Sequence, residues 1–391
     1  MTTYGKISIA SNTPGMPTGY GVQAEILMNN LMRDGHKVAA LSNYGLEGNR
    51  SVIKTEFGEV PHYPRGYTLY SGDVLATHHK HFVGESKEPN AIITLYDAWV
   101  YLDAPNLENL RFWSWTPVDH ISVPPRVKAW ADKPNVKTIA MSPFGQAQFE
   151  KLGIDAAYIP HSVDTKLYKP TDNIAGQDVR EYMGIPKDSF LVGMVSANKA
   201  NGSIHRKAFA ENLLAFSLFH KSNPNSYLYI HSEPSKAFGG FHLINLLKAV
   251  GLPKEAVLFP DPEKLRYGYS TQEMSALYST MDVLLHASYG EGFGVPAIEA
   301  QACGTRVIGS NWAATPDVLG EDSWLVDGQP FWDEPQSSFF QIPLIPSLIK
   351  ALEEAYKADR GVSKTSIEFA KGFDTETVWQ TYWKPFIASQ L

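Results

Sequence analysis

The chain has 391 residues, of which 43% are hydrophobic and 19% charged, and a formal net charge of -7. That length exceeds what one hydrophobic core usually organises and predicts two domains of roughly 150 to 200 residues, while the composition excludes a fibrous or largely disordered chain. Lys and Arg form no runs, and residues 1–170 balance 16 basic against 16 acidic side chains, which disfavours a face built for duplex nucleic acid or an anionic membrane. The single cysteine, Cys303, cannot form an internal disulfide. It reads as a small buried residue in a reducing, cytoplasmic setting. The opening MTTYGKISIASNTPG lacks a signal-peptide pattern, and no run approaches the roughly 18 apolar residues of a membrane span.

In chain order, KISIAS predicts a first strand, the turn-rich NTPGMPTGYG follows, and a helix runs over 22–33, closed by Asp34-Gly35-His36. KVAALS supplies a second strand, completing a strand-helix-strand unit with a glycine-rich first turn. Further strands are predicted at 74–79, 91–97, 111–116 and 137–142. The His78-His79-Lys80-His81 run sits at the end of the first of these. Neighbouring side chains on a strand point to opposite faces, so the run predicts no metal site. The segment IPHSVDTKLYKPTDN carries two prolines and polar turn residues, and a domain boundary is expected near residue 170.

The rhythm then restarts, with strands predicted at 190–197, 227–231, 257–259, 283–287 and 306–309. A helix beginning near Arg206 carries Phe209, Leu213, Phe216 and Leu218 at helical spacing. Alternating strands and helices from end to end predict an α/β fold of two doubly wound, Rossmann-like domains. In such folds a ligand binds beyond the carboxyl ends of the strands, here in a cleft faced by both domains.

The sharpest local feature is EGFGVPAIEAQACGTRVI, which follows the apolar run VLLHAS and separates Glu291 from Glu299 by seven residues. Pro296 suits the first position of a helix, where its missing N–H would be unpaired anyway. Gly292, Phe293, Gly294 and Val295 then stand at the helix start, where free N–H groups and the helix dipole favour a diphosphate. Glu299 falls on the first helical turn and Glu291 in the loop before it. Carboxylates beside a diphosphate are repelled by it unless they face hydroxyls, so the pair reads as acceptors for ribose and sugar O–H groups.

This segment resembles the retaining glycosyltransferases of the GT-B fold grouped as family four, whose characteristic motif is Glu-x7-Glu in an EGFG-type loop. The resemblance implies Glu299 on the nucleotide ribose and Glu291 near the transferred sugar. It extends over nearly the whole chain. SPFGQAQFEKLGIDAAYIPHSVDTKLYKP is similar to the family's interdomain region, with Pro160, His161, Val163 and Asp164 in its pattern and Ser162 in place of the usual glycine. GMVSANKANGSIHRKAFAENLLAF resembles the strand and helix that carry the family's diphosphate clamp. Lys207 matches the clamp lysine, whereas the usual arginine after the strand is replaced by Ser196-Ala197-Asn198-Lys199, leaving Arg206 or Lys199 as the second cation. Pro17-Thr18-Gly19-Tyr20-Gly21 is similar to the family's glycine-rich loop. Tyr96-Asp97 stands where many relatives have His-Asp, and His120, with Asp119, is the candidate replacement near the sugar or acceptor.

The resemblance therefore implies an acceptor-binding domain over 1–170, a nucleotide-sugar domain over 171–372, and a C-terminal helix over 373–391 that returns to the first domain on Trp379, Tyr382 and Trp383. It implies a donor of the UDP-glucose or GDP-mannose type as substrate, no resident cofactor, no metal, and front-face attack with retention. The acceptor, whether a glycan, lipid, protein or modified nucleobase, stays open. Two rival readings are a nicotinamide-dependent dehydrogenase and a sugar-nucleotide-binding protein without turnover. The first fares poorly, because Gly-Tyr-Gly lacks a third spaced glycine and no acidic ribose contact ends KVAALS.

Overall fold

The computed structural model describes residues 4–391 apart from 172, 175, 201–203 and 238; Asn201, Gly202 and Ser203 of the clamp-like stretch thus lie outside the described residues. Contacts divide the chain into two units. One comprises the chain up to Ser162 with Glu334–Ser338 and Thr375–Leu391, and the other Val163–Asp333 with Phe339–Asp374.

The first unit is built on an eight-stranded sheet. Its strands are β1 (Lys6–Asn12), β2 (Lys37–Tyr44), β3 (Ser51–Thr55), β4 (Gly58–Tyr63), β5 (Asn90–Leu95), β6 (Phe112–Thr116), β7 (Val136–Ala140) and β8 (Ala157–Tyr158). They lie in the order β3-β4-β2-β1-β5-β6-β7-β8, parallel except for the β3–β4 hairpin at the edge. Helices α1 (Gly19–Arg33), α2 (Gly72–Val83), α3 (Pro125–Ala131) and α4 (Pro143–Glu150) connect them. Strands buried on both faces read as unbroken apolar runs, as a parallel sheet requires; in β5, Ala91, Ile92, Ile93 and Leu95 are fully buried. A core of Phe112, Trp130, Phe149, Tyr96 and Tyr101 fills one side.

Two expectations for this unit are corrected. Residues 74–79 form part of α2, not a strand. Leu75, Ala76 and His79 are its buried positions, a helical face that short apolar runs do not distinguish from a strand by pattern alone. Within α2, His79 bonds Ser8 Oγ at 2.8 Å and Asn90 Oδ1 at 3.1 Å, while His81 Nδ1 meets Tyr63 Oη at 2.8 Å. Among the described residues no group of three or more His, Cys, Asp or Glu side chains is placed to hold a metal ion. The second correction is that α1 begins at Gly19, so Gly19, Tyr20 and Gly21 form its first turn. Thr18 caps it, its hydroxyl accepting from Gly21 N–H at 3.0 Å. A side chain at Gly21 would stand 2.5 Å from the Met16 carbonyl. The β3–β4 hairpin has no counterpart among the strands expected from the sequence.

The C-terminal segment, α13 (Thr375–Val378), a π-turn over Trp379–Trp383 and α14 (Lys384–Gln390), belongs to the first unit. Trp383 meets Trp115 edge-on at 5.0 Å, Tyr382 meets Tyr158 at 5.2 Å, and Trp379 Nε1 donates to Asp34 at 3.1 Å.

The second unit carries a six-stranded parallel sheet in the order β13-β12-β11-β14-β15-β16. Its strands are β11 (Phe190–Val195), β12 (Ser226–His231), β13 (Val257–Leu258), β14 (Val283–His286), β15 (Arg306–Ser310) and β16 (Trp324–Val326), and two small hairpins accompany it, β9 (Asn173–Ile174) with β10 (Gln177–Asp178) and β17 (Gly328–Asp333) with β18 (Ser338–Pro343). The helices are α5 (Val179–Met183), α6 (Phe209–Ser222), α7 (Leu243–Val250), α8 (Pro262–Tyr267), α9 (Thr271–Thr280), α10 (Val295–Ala302), α11 (Ile345–Lys357) and α12 (Lys364–Ala370). Phe209, Leu213, Phe216 and Phe219 of α6 join Leu348 and Leu352 of α11 in the core, whereas Leu218 is 39% exposed and lies off that face. Among the described residues no helix is long and apolar enough to cross a membrane.

Candidate functional site

The carboxyl end of β14 leads directly into the Glu291 loop and α10. Gly294 is the N-cap of α10 at φ +99°, a left-handed conformation that a residue with a Cβ resists. Val295 is the first helical residue and Pro296 the second, so Glu299 stands further into the helix than the sequence suggests. Phe293 is buried and packs edge-on against Phe373 at 5.6 Å; its side chain anchors the loop.

Opposite this loop, α6 starts at Phe209 rather than Arg206. Ala208 turns through φ +50° and sets Arg206 and Lys207 in the turn before the helix. The turn is tied to the Glu291 loop through the backbone, Tyr289 N–H donating to the Arg206 carbonyl at 2.7 Å. Side chains complete the junction. Lys207 Nζ donates to Glu291 Oε1 at 2.5 Å, and Arg206 Nη1 donates to Glu291 Oε2 at 3.0 Å and to the Gly290 carbonyl at 2.6 Å. Asn212 Nδ2, near the start of α6, donates to the Ala287 carbonyl at 2.8 Å.

Glu291 is 4% exposed. Burial pushes its carboxyl upward, but Lys207 and Arg206 outweigh that and hold it well below the usual carboxylate range. His286, at the end of β14, faces the same carboxylate with its Nε2 3.8 Å from Glu291 Oε1. Glu299 is held differently. Tyr278 Oη donates to it at 2.7 Å and Tyr168 adds a second hydroxyl, yet burial dominates and raises its pKa.

The fold thus brings Arg206, Lys207, Glu291, Gly292 and Gly294 together at the start of α10. Asn198 braces the neighbouring loop instead, its Nδ2 donating to the carbonyls of Glu233, Ser235 and Phe241 and its Oδ1 accepting from Phe241 N–H. Lys199 is exposed, and its backbone bridges to Gly239. Arg206 and Lys207 thus share Glu291 as their partner. In the first unit, His120 is buried and its Nδ1 lies 2.6 Å from Asp119 Oδ1. Tyr96 is a core residue ringed by Tyr20, Tyr70 and Tyr101. Sequence reasoning missed His286, Tyr278 and Tyr168; the available signal was a lone imidazole ending the apolar run VLLHAS.

Comparison with known proteins places this architecture. The chain superposes on sucrose-phosphate synthase from Thermosynechococcus elongatus with a TM-score of 0.70 at 18% identity, covering 98% of this chain and 100% of that one. It superposes on the Anabaena protein HepE in complex with UDP and glucose with a TM-score of 0.66 at 17% identity, covering 99% and 100%. These neighbours define the fold as GT-B. The sequence model for Glycosyl transferases group 1 matches residues 256–334, the span that contains β14, the Glu291 loop and α10. A D-inositol 3-phosphate glycosyltransferase of Corynebacterium jeikeium is 27% identical over 177 residues, 44% of this chain and 39% of that protein. The chain spans about two fifths or less of the length of the curated relatives it matches. Over residues 256–334 the chain is thus similar to the Glycosyl transferases group 1 family.

Proposed function

We propose that the chain transfers a hexose from a nucleoside-diphosphate sugar to an acceptor hydroxyl with retention of anomeric configuration. The observation that carries the reading is the convergence of Lys207 and Arg206 on Glu291 beside the N-terminus of α10. Two cations and a helix N-terminus suit a diphosphate, and a carboxylate within their reach suits sugar hydroxyls. In the reaction the bond from C1 to the β-phosphate oxygen breaks and its electron pair stays on that oxygen. The acceptor oxygen bonds to C1 on the same face, and the acceptor proton passes to the departing phosphate oxygen. Lys207 and Arg206 stabilise the charge that develops there, an effect of about 3 kcal/mol for one well-placed donor. Glu299 takes the ribose hydroxyls, and Asp119 with His120 is the candidate acceptor-handling pair within the first unit. UDP-glucose and GDP-mannose are the donors to try first.

A thermal-shift panel of UDP, GDP, ADP and their sugar conjugates tests the reading, since a ligand at a hundred times its Kd stabilises the folded state by about 2.7 kcal/mol. A shift with one nucleotide family that disappears in Glu299→Ala supports it, and no shift with any overturns it. Donor binding without hydrolysis or transfer would leave a sugar-nucleotide-binding protein instead. An NMR assignment of the product's anomeric centre decides the stereochemistry.

A further inference from the structure

The chemistry assigned to the second unit leaves one buried group beside Glu291 unused. His286 ends β14 with its side chain 1% exposed and its Nε2 3.8 Å from Glu291 Oε1. Among the described residues that nitrogen has no hydrogen-bond partner, although buried polar atoms are normally paired. A Cβ on Gly294 would stand 3.0 Å from the same nitrogen, so the glycine keeps the space before Nε2 clear. The charged groups acting on the ring are Glu291, Lys207 and Arg206. Burial pushes the imidazole down to about 4 against the pull of Glu291, and the two cations push the same way as burial. The ring is therefore neutral in the unliganded protein.

Donor binding changes that balance. Phosphate oxygens compete for Lys207 and Arg206, and Glu291 then keeps its burial while losing the charges that compensate it, a costly state for a carboxylate. We propose that His286 is the second partner of Glu291: as a nucleoside diphosphate draws Lys207 and Arg206 onto its phosphates, the carboxylate closes on Nε2 and the imidazole takes up one proton from solvent. The inference rests on the donor reading above. His286 is a positioning residue, holding Glu291 for the sugar hydroxyls and touching no reacting atom. Because binding takes up a proton, donor affinity falls by up to about tenfold per pH unit above pH 4, and levels off once the pH passes the ring's value in the complex.

The test is calorimetric titration of the full chain with UDP-glucose and with GDP-mannose, whose esterified diphosphates are fully ionised and do not titrate near neutrality, in two buffers of different protonation enthalpy. Near pH 6 the expected uptake is close to one proton per donor bound. His286→Gln places an amide nitrogen near the position of Nε2, so it regains donor affinity that His286→Leu loses, while its proton uptake vanishes. Melting curves confirm that both variants fold. Donor binding by the wild type without uptake overturns the proposal and leaves glycosyl transfer standing, and uptake that survives in His286→Gln overturns it as well. Failure of both sugar nucleotides to bind overturns the donor reading and this inference together.

Discussion

Glu291 shows how a single residue's environment dictates its behaviour. A carboxylate this buried is stable only while its charge is compensated, and Lys207 at 2.5 Å and Arg206 at 3.0 Å compensate it. Lys207→Ala is expected to lower kcat by on the order of a hundredfold, measured with whichever donor gives the thermal shift; activity near that of the wild type would remove Lys207 from the site. The same cluster sets a pH dependence. The folded-state pKa of Glu291 lies below the ordinary glutamate value of 4.5, so its contribution to stability is complete above that value and is lost as the pH falls toward the folded one. Unfolding in urea between about pH 5 and pH 3 should therefore show a shallower loss of stability in Glu291→Gln than in the wild type. An equal slope would mean that the ion cluster is absent in solution. Cys303 behaves as the sequence suggests. It is 1% exposed, and burial pushes its thiol up to about 12, so iodoacetamide at pH 8 should label the chain only after unfolding.

At the scale of elements, the site depends on two sharp chain reversals. Gly294 and Ala208 both have positive φ, and each ends a turn that aims charged groups at the other. Gly294→Ala combines left-handed strain with a Cβ 3.0 Å from His286 Nε2. It should cost about 1 to 3 kcal/mol of stability, read as a lowered urea midpoint; a change within error would show that the loop relaxes freely. The glycine and proline punctuation makes α10 legible, because the residues that permit the turn are also the ones a sequence displays. The position of Arg206 and Lys207 ahead of α6 is not legible. Nothing in HRKAFAENLL announces that Ala208 takes a left-handed conformation and delays the helix. The misreading of α2 as a strand has a similar cause. The run VLATHHKHFV holds too few apolar residues to settle its period, and contacts from Ser8 and Asn90 to His79 fix the helix from outside.

At the scale of the whole chain, the C-terminal segment is continuous with the core of the first unit. Trp379 and Trp383 are nearly fully buried, and Trp383→Ala should destabilise that unit by about 3 to 5 kcal/mol, visible as a lowered Tm. A neutral effect would detach the segment from the core. Local patterns suffice for the α/β class, the helix start at the Glu291 loop and the likeness to the group 1 glycosyltransferases. Apolar runs, turn residues and a motif spaced within one loop and one helix are all written in neighbouring residues. Long-range packing settles the rest: which side chains pair with Glu291, what Asn198 holds, how two tyrosine hydroxyls grip Glu299 and where His286 points. Those relations join residues tens of positions apart in the chain, Arg206 with Glu291 and Asn198 with Phe241 among them, and such distances close only when the strands take their places in the sheet.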